Sequence, residues 1–162
     1  MSKSTKPTGV TLNLINKSGV AVPQKFIERW VQEMVRLLVS EIKDSGRLKD
    51  TELVVAFLDV KEARRINSTF RGHDYPTDVL SFASTAPNII GELVLCPTVV
   101  SRQAKEHGLL VREEFGHLIL HGLLHLLGYD HESAPANAKK MYDLQDRVFA
   151  ELLEFGKKQS DD

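Results

Sequence analysis

The sequence predicts an α+β domain: one small mixed β-sheet covered by helices, with a zincin-like three-histidine metal site on one helix. Three observations carry this. Short alternating or β-branched runs are interleaved with longer amphipathic ones in the order β-α-β-α-β-β-α-α-α. The 162 residues suit a single domain over 1–162, with flexible tails expected at about 1–8 and 157–162. One apolar helix carries the segment HGLLHLLGYDH, with histidines at 121, 125 and 131.

Val10–Asn16 alternates apolar and polar residues with period two and reads as a strand. Pro23 opens a long helix over 24–42. In it Phe26, Ile27, Trp30, Met34, Leu37, Leu38 and Ile42 recur at steps of three and four, making one apolar face. Thr51–Val60 is β-branched and apolar, a buried strand. Asp59 and Glu62 have capping-box spacing for a short helix, KEARRINSTF. RGHDYPT is a loop by its glycine and proline. Asp78–Ser84 and Ile89–Cys96 read as strands joined by a turn, hence a hairpin. Pro97 starts a helix that stops at Gly108. Another runs from about Val111 to Leu127 and ends at Gly128, and the last spans about Ala136 to Phe155.

Composition narrows the function classes. A formal net charge of −1 gives no argument for nucleic acid, although a local basic patch inside a neutral protein suffices to bind phosphate. Cys96 is the only cysteine, so no internal disulfide and no disulfide partner is expected, which fits a reducing compartment. The start, MSKSTKPTG, has no apolar core of a signal peptide. The most apolar run, Leu118–Leu127, falls short of the roughly 18–20 residues a membrane span needs. The expected location is the cytoplasm, without a membrane partner.

The histidine segment carries the chemistry. Residues four apart on a helix point within about 40° of each other, so His121 and His125 can reach one metal. Gly128 can take the left-handed conformation that ends the helix and lets the chain double back with His131. Three neutral imidazoles suit Zn²⁺, while nickel, copper and iron remain open by ligand type. Structural zinc sites usually close the fourth position, often with cysteine; nothing ties Cys96 to this segment, so an open, catalytic position is favoured. The spacing is nearly that of metzincin proteases, but Gly122 stands where they place the glutamate that activates water and protonates the leaving amine. That argues against peptide hydrolysis. Phosphodiester cleavage depends more on charge stabilisation and wants a cation near the metal. The candidate is Arg71; read from spacing alone, a solvated arginine or an ion pair with Asp74 or Asp78 is the simpler account.

FRGHDYPTDVLSF and HGLLHLLGYDH, in this order and at this separation, resemble the YbeY family of bacterial endoribonucleases, which are rRNA maturation factors. GELVLCPTVVSRQAKEHG and the pair Glu113–Glu114 are similar to that family too, and the resemblance covers roughly Leu53 to Leu153. It implies a zinc-dependent, single-strand-specific endoribonuclease. It further implies work on ribosomal RNA, in small-subunit rRNA 3′-end maturation and ribosome quality control, with the ribosome or its small subunit as partner. Position by position, it makes His121, His125 and His131 the metal ligands and Arg71 the catalytic arginine beside the metal. Glu92 and Gln145–Asp146 depart from the usual acidic pattern, which puts any role of those positions in doubt.

Two rival readings stand beside this one: a metallohydrolase of another substrate, such as a peptide, and a ribosome-associated assembly factor whose metal is structural. Among the other histidines, His117 is expected to be a satisfied core or helix-surface residue, His73 an exposed loop residue, and His107 a helix C-terminal one. Asp130 and Glu132 are expected in turn or surface roles, with a carboxylate hold on an imidazole as the alternative. Lys61, Arg64, Arg65, Arg102, Lys105, Lys139 and Lys140 are candidates for a basic RNA surface, though most such charges are solvated faces.

Overall fold

The computed structural model describes residues 9–158. Its strands are β1 (Val10–Asn16), β2 (Thr51–Phe57), β3 (Val79–Ala83) and β4 (Ile89–Leu95). Its helices are α1 (Gln24–Val39), α2 (Val60–Arg71), α3 (Pro97–His107), α4 (Val111–Leu126) and α5 (Pro135–Lys158), with a 3-10 turn at Ser45–Leu48. The element order is the expected one. Tails expected over 1–8 and 159–162 lie outside the described residues, whereas Lys157 and Lys158 belong to α5.

The sheet is mixed, in the order β1-β2-β4-β3. β1 and β4 each pair with β2 in parallel, and β3 pairs with β4 antiparallel, closing the expected hairpin. Alternation along the strands divides the two faces. Leu53, Val55 and Phe57 of β2 and Leu93 and Leu95 of β4 join the main core with α1, α4 and α5. Ala56, Leu80 and Val94 face the other way, toward Ile66 of α2. β3 is an edge strand, so its core-side residues Val79, Ser81 and Ala83 are left to line a cleft.

Two boundaries differ from expectation for local reasons. Helix α1 stops at Val39, three residues before Ile42, and the Ser40 hydroxyl donates to Leu37 O at 3.0 Å, satisfying a terminal carbonyl. Only half of the capping box of α2 forms. Asp59 accepts from the Glu62 N–H at 2.8 Å, but the Glu62 carboxylate is taken by Arg65.

Helix α4 is apolar nearly all round because it is central. Phe115, Ile119, Leu120 and Leu123 are buried against α1, the sheet and α5, each fully buried side chain contributing roughly 1.5–3 kcal/mol. Two glycines allow its close approach. A Cβ at Gly116 would collide with the Trp30 ring of α1. A Cβ at Gly122 would lie 2.6 Å from Leu93 Cδ2 and 3.2 Å from Ser81 Oγ. The helix is therefore wedged between α1 and the sheet, which fixes the histidines it carries.

Candidate metal centre

The end of α4 explains how three histidines meet. Gly128, at φ 100°, donates to His125 O at 3.0 Å, and Tyr129 N–H reaches back to Leu124 O at 3.0 Å. This glycine-based cap satisfies the last carbonyls and reverses the chain. Asp130 then accepts from the Glu132 N–H at 2.8 Å, a turn role that brings His131 back over the helix. One ring nitrogen from each of His121, His125 and His131 falls within 4.8 Å of the others, and all three side chains are half-buried in a cleft. The four-residue spacing and the glycine stop thus bring the three imidazoles together.

The hydrogen bonds fix which nitrogens face inward. His125 Nδ1 donates to the Tyr129 carbonyl at 3.0 Å, because a carbonyl can only accept. His121 Nδ1 donates to Gln145 Oε1 at 2.7 Å. A neutral ring with its proton on Nδ1 leaves Nε2 as a lone-pair donor, and the two Nε2 atoms face each other at 3.1 Å. Burial, and His121 beside it, hold the His125 ring below the ordinary histidine range, hence neutral at pH 7. Two lone pairs aimed at one point repel unless a cation sits between them. Nitrogens about 2.05 Å from a tetrahedral ion lie about 3.3 Å apart, so the donor set fits a metal such as zinc.

Gln145 is the residue that sequence reading left without a role. It is buried at 5% exposure on the inner face of α5, beside Met141, Leu144 and Val148. Its amide nitrogen lies 3.4 Å from His117 Nε2, so one amide spans two histidines. His117, expected as a satisfied core or helix-surface residue, is half-buried with its ring against Phe149, and among the described residues its buried Nδ1 has no partner. A polar residue on an apolar helical stripe was the available signal for Gln145.

Arg71 ends α2 and lines the same cleft as the histidines. Gly72 caps the helix at φ 73°. Buried Asn67 then pins the loop, donating from Nδ2 to Tyr75 O at 2.7 Å. Neither acid weighed as a partner takes Arg71. Asp74 is held by Arg64 through two bonds of 2.8 and 2.9 Å. Asp78 accepts from Val79 N–H at 2.7 Å and from the Thr77 hydroxyl at 3.2 Å. Among the described residues Arg71 has no ion-pair partner and stands exposed at the cleft.

The expected basic surface is partly neutralised. Arg64, Arg65 and Lys139 are paired with Asp74, Glu62 and Asp143. His107 is more than a helix-end charge. Its Nδ1 contacts both carboxylate oxygens of the fully buried Glu114 at 3.0 and 3.1 Å, tying α3 to α4. That carboxylate raises His107 above the ordinary histidine range. His73 is exposed beside Tyr75, as expected of a loop residue. Glu92 is exposed on β4. Cys96 is buried with Ala63 and Val99 and takes no part in the histidine cluster. Among the described residues no helix is long and apolar enough to cross a membrane.

Comparison with known proteins gives the fold and site a family. The model of the family described as endoribonuclease YbeY matches residues 13–153. The chain belongs to the YbeY family. An endoribonuclease YbeY of Bdellovibrio bacteriovorus is 51% identical over 144 residues, covering 86% of this chain and 93% of the relative. One from a Sulfurihydrogenibium species is 36% identical, covering 86% and 91%. A Thermotoga maritima protein of known solution structure aligns with a TM-score of 0.62 at 28% identity, covering 94% of this chain and 96% of its own. For a YbeY family member, the matched range includes the Arg71 loop, all of α4 and the three histidines.

Proposed function

We propose that this protein is a cytoplasmic, zinc-dependent endoribonuclease that cuts single-stranded RNA during ribosomal RNA processing. Its proposed work is small-subunit rRNA 3′-end maturation and ribosome quality control, with the ribosome or its small subunit as partner. The observation that carries this is one cleft of about 650 Å³ holding three convergent imidazoles and an arginine that has no ion-pair partner among the described residues. Membership of a family of endoribonucleases supports the same reading.

In this reading His121, His125 and His131 hold the metal, which supplies Lewis acidity at the scissile phosphate. Gln145 and the Tyr129 carbonyl keep two of the rings in the tautomer whose Nε2 is free. Arg71 is the catalytic residue. Its guanidinium presents paired N–H donors to phosphate oxygens and offsets the negative charge that builds on them in the transition state. Gly72 and the Asn67-pinned loop hold it there without a competing carboxylate.

The rivals fare worse on physical grounds. A Cβ at position 122 would press on Leu93 and Ser81, so a peptidase glutamate there would have to displace both. A structural metal is usually closed off, whereas these histidines stand half-buried along an open cleft. The test offers the zinc-loaded protein an end-labelled single-stranded RNA, the same RNA as a duplex, and a peptide library. The expected result is cleavage of the single strand alone, lost on chelation and restored by zinc. Peptide cleavage, or RNA cleavage undiminished after the metal is stripped, contradicts the proposal.

A further inference from the structure

The charge of the cleft raises a question about affinity. Proteins ordinarily hold nucleic acid by neutralising phosphates with lysine and arginine. Here Arg71 shares the cleft with Asp78, Glu114, Asp130 and Glu132, and the whole chain carries a net charge of −1. Arg64 and Arg65, the nearest other arginines in sequence, are already paired with carboxylates. Contacts to the RNA backbone are therefore few at this site, made by Arg71 and the metal centre.

The aromatic side chains offer another source of binding. Of all the phenylalanine, tyrosine and tryptophan side chains, only Phe70, Tyr75 and Tyr142 are exposed, at 64, 53 and 41%. Tyr142 lines this cleft, and Tyr75 lies on the loop whose residues Thr77 and Asp78 line it opposite. Tyr142 lines it from α5 with one ring face stacked on His131, centroids 5.5 Å apart at 23°. Tyr75 stands on the loop that brings Arg71 and Thr77 to the opposite wall, and Asn67 fixes its backbone. Phe70 precedes Arg71 but rests edge-on against Phe82 of β3, centroids 5.3 Å apart at 73°, on the sheet face turned away from the cleft. Single exposed apolar residues need no explanation, but two exposed tyrosines facing one polar cleft from α5 and from the Arg71 loop mark an interaction surface.

We infer that Tyr142 on one wall, and Tyr75 on the loop opposite, are stacking platforms for unpaired nucleobases on either side of the phosphate held at Arg71 and the histidines. This rests on the endoribonuclease reading and deepens it. Bases paired in a duplex are stacked on one another and cannot lie on these rings, so the platforms select single strands. Because every base has a π-face, they do so with little sequence preference. Affinity then comes mainly from stacking, and binding depends only weakly on salt.

The test uses the zinc-loaded full chain. Binding and cleavage of an oligoadenylate are compared with those of an abasic ribose-phosphate chain of equal length. Leucine replaces each ring in turn (Tyr142→Leu, Tyr75→Leu), keeping apolar bulk without the aromatic face; Tyr142→Phe is the conservative control. Zinc content and thermal midpoint are measured on every variant. The expected loss is about tenfold in oligoadenylate affinity for each leucine variant, with zinc retained. Tyr142→Phe should bind like wild type, and the losses should vanish on the abasic chain. The salt slope of log affinity, about −0.7 per phosphate contact on single strands, should lie near −1 to about −2. Leucine variants that bind oligoadenylate normally, or that lose equally on the abasic chain, overturn the inference, as does a slope steeper than about −3. If the wild type cleaves RNA while any of these occurs, only the stacking inference falls. If it neither binds nor cleaves RNA, the endoribonuclease reading falls too.

Discussion

Replacing Gln145 by leucine tests whether α5 tunes the candidate metal centre from behind. The side chain is 5% exposed, and its Oε1 accepts from His121 Nδ1 at 2.7 Å. Leucine fills the space but cannot accept. The His121 Nδ1–H is then stranded beside an apolar group, at a cost of about 1–3 kcal/mol, unless the ring moves its proton to Nε2 and loses the lone pair that faces His125. Either way metal binding weakens. Loss of such a supporting hydrogen bond typically costs 10- to 100-fold in metal affinity, or about 1.4–2.7 kcal/mol, in agreement with the stranded-donor figure. Gln145→Glu keeps an acceptor for His121, and His117 can donate to it by carrying its proton on Nε2. That variant should bind zinc at least as tightly as wild type. The assay is zinc competition against a chromophoric chelator near neutral pH, paired with thermal midpoints with and without zinc. A tenfold loss lowers the zinc-induced stabilisation by about 1.4 kcal/mol, or about 3–6 °C. Wild-type zinc affinity in Gln145→Leu would refute the reasoning.

Two further outcomes follow from packing and charge. Gly122→Ala adds a methyl group 2.6 Å from Leu93 Cδ2, so overpacking should outweigh the ~1 kcal/mol that alanine gains in a helix. A net loss of about 1–2 kcal/mol, read as a midpoint lowered by about 2–8 °C, is expected; an unchanged midpoint means the contact relaxes freely. Gly122→Glu should lose more stability and gain no peptidase activity. The His107–Glu114 pair sets a pH dependence. His107 titrates above its unfolded value of about 6.5, so its extra stabilisation is complete below that pH and disappears as pH rises through the raised folded value. Urea midpoints of wild type and His107→Gln should differ most in acid and converge in base. A difference constant across that range contradicts the assignment.

Much of this protein was legible in local pattern. Period-two alternation located β1, the turn-flanked runs gave the β3–β4 hairpin, and the i, i+4 spacing with a glycine stop placed His121, His125 and His131 together. What escaped depended on contacts between distant segments. Alternation says which face a residue takes but not which strand lies beside it, so the β1-β2-β4-β3 order was not readable. Arg71 looked like an ion-pairing loop arginine because its neighbours include two aspartates. Among the described residues it stands unpaired because Arg64, two turns earlier on the same face of α2, already holds Asp74. Gly122 read as an absent glutamate, and the structure adds that a Cβ there would press on Leu93 and Ser81. Gln145 looked like a mere departure from an acidic pattern until α5 was seen to set it against His121.

The most direct measurement separates metal binding from catalysis at the two halves of the cleft. Zinc content and cleavage of a labelled single-stranded RNA are measured together for wild type, His125→Ala and Arg71→Ala. His125→Ala should lose both zinc and cleavage, because one of three converging nitrogens is gone. Arg71→Ala should keep its zinc and lose cleavage by about 10²-fold or more, as for other donors aimed at developing charge. Full cleavage by Arg71→Ala, or cleavage by His125→Ala after its zinc is gone, would contradict the account.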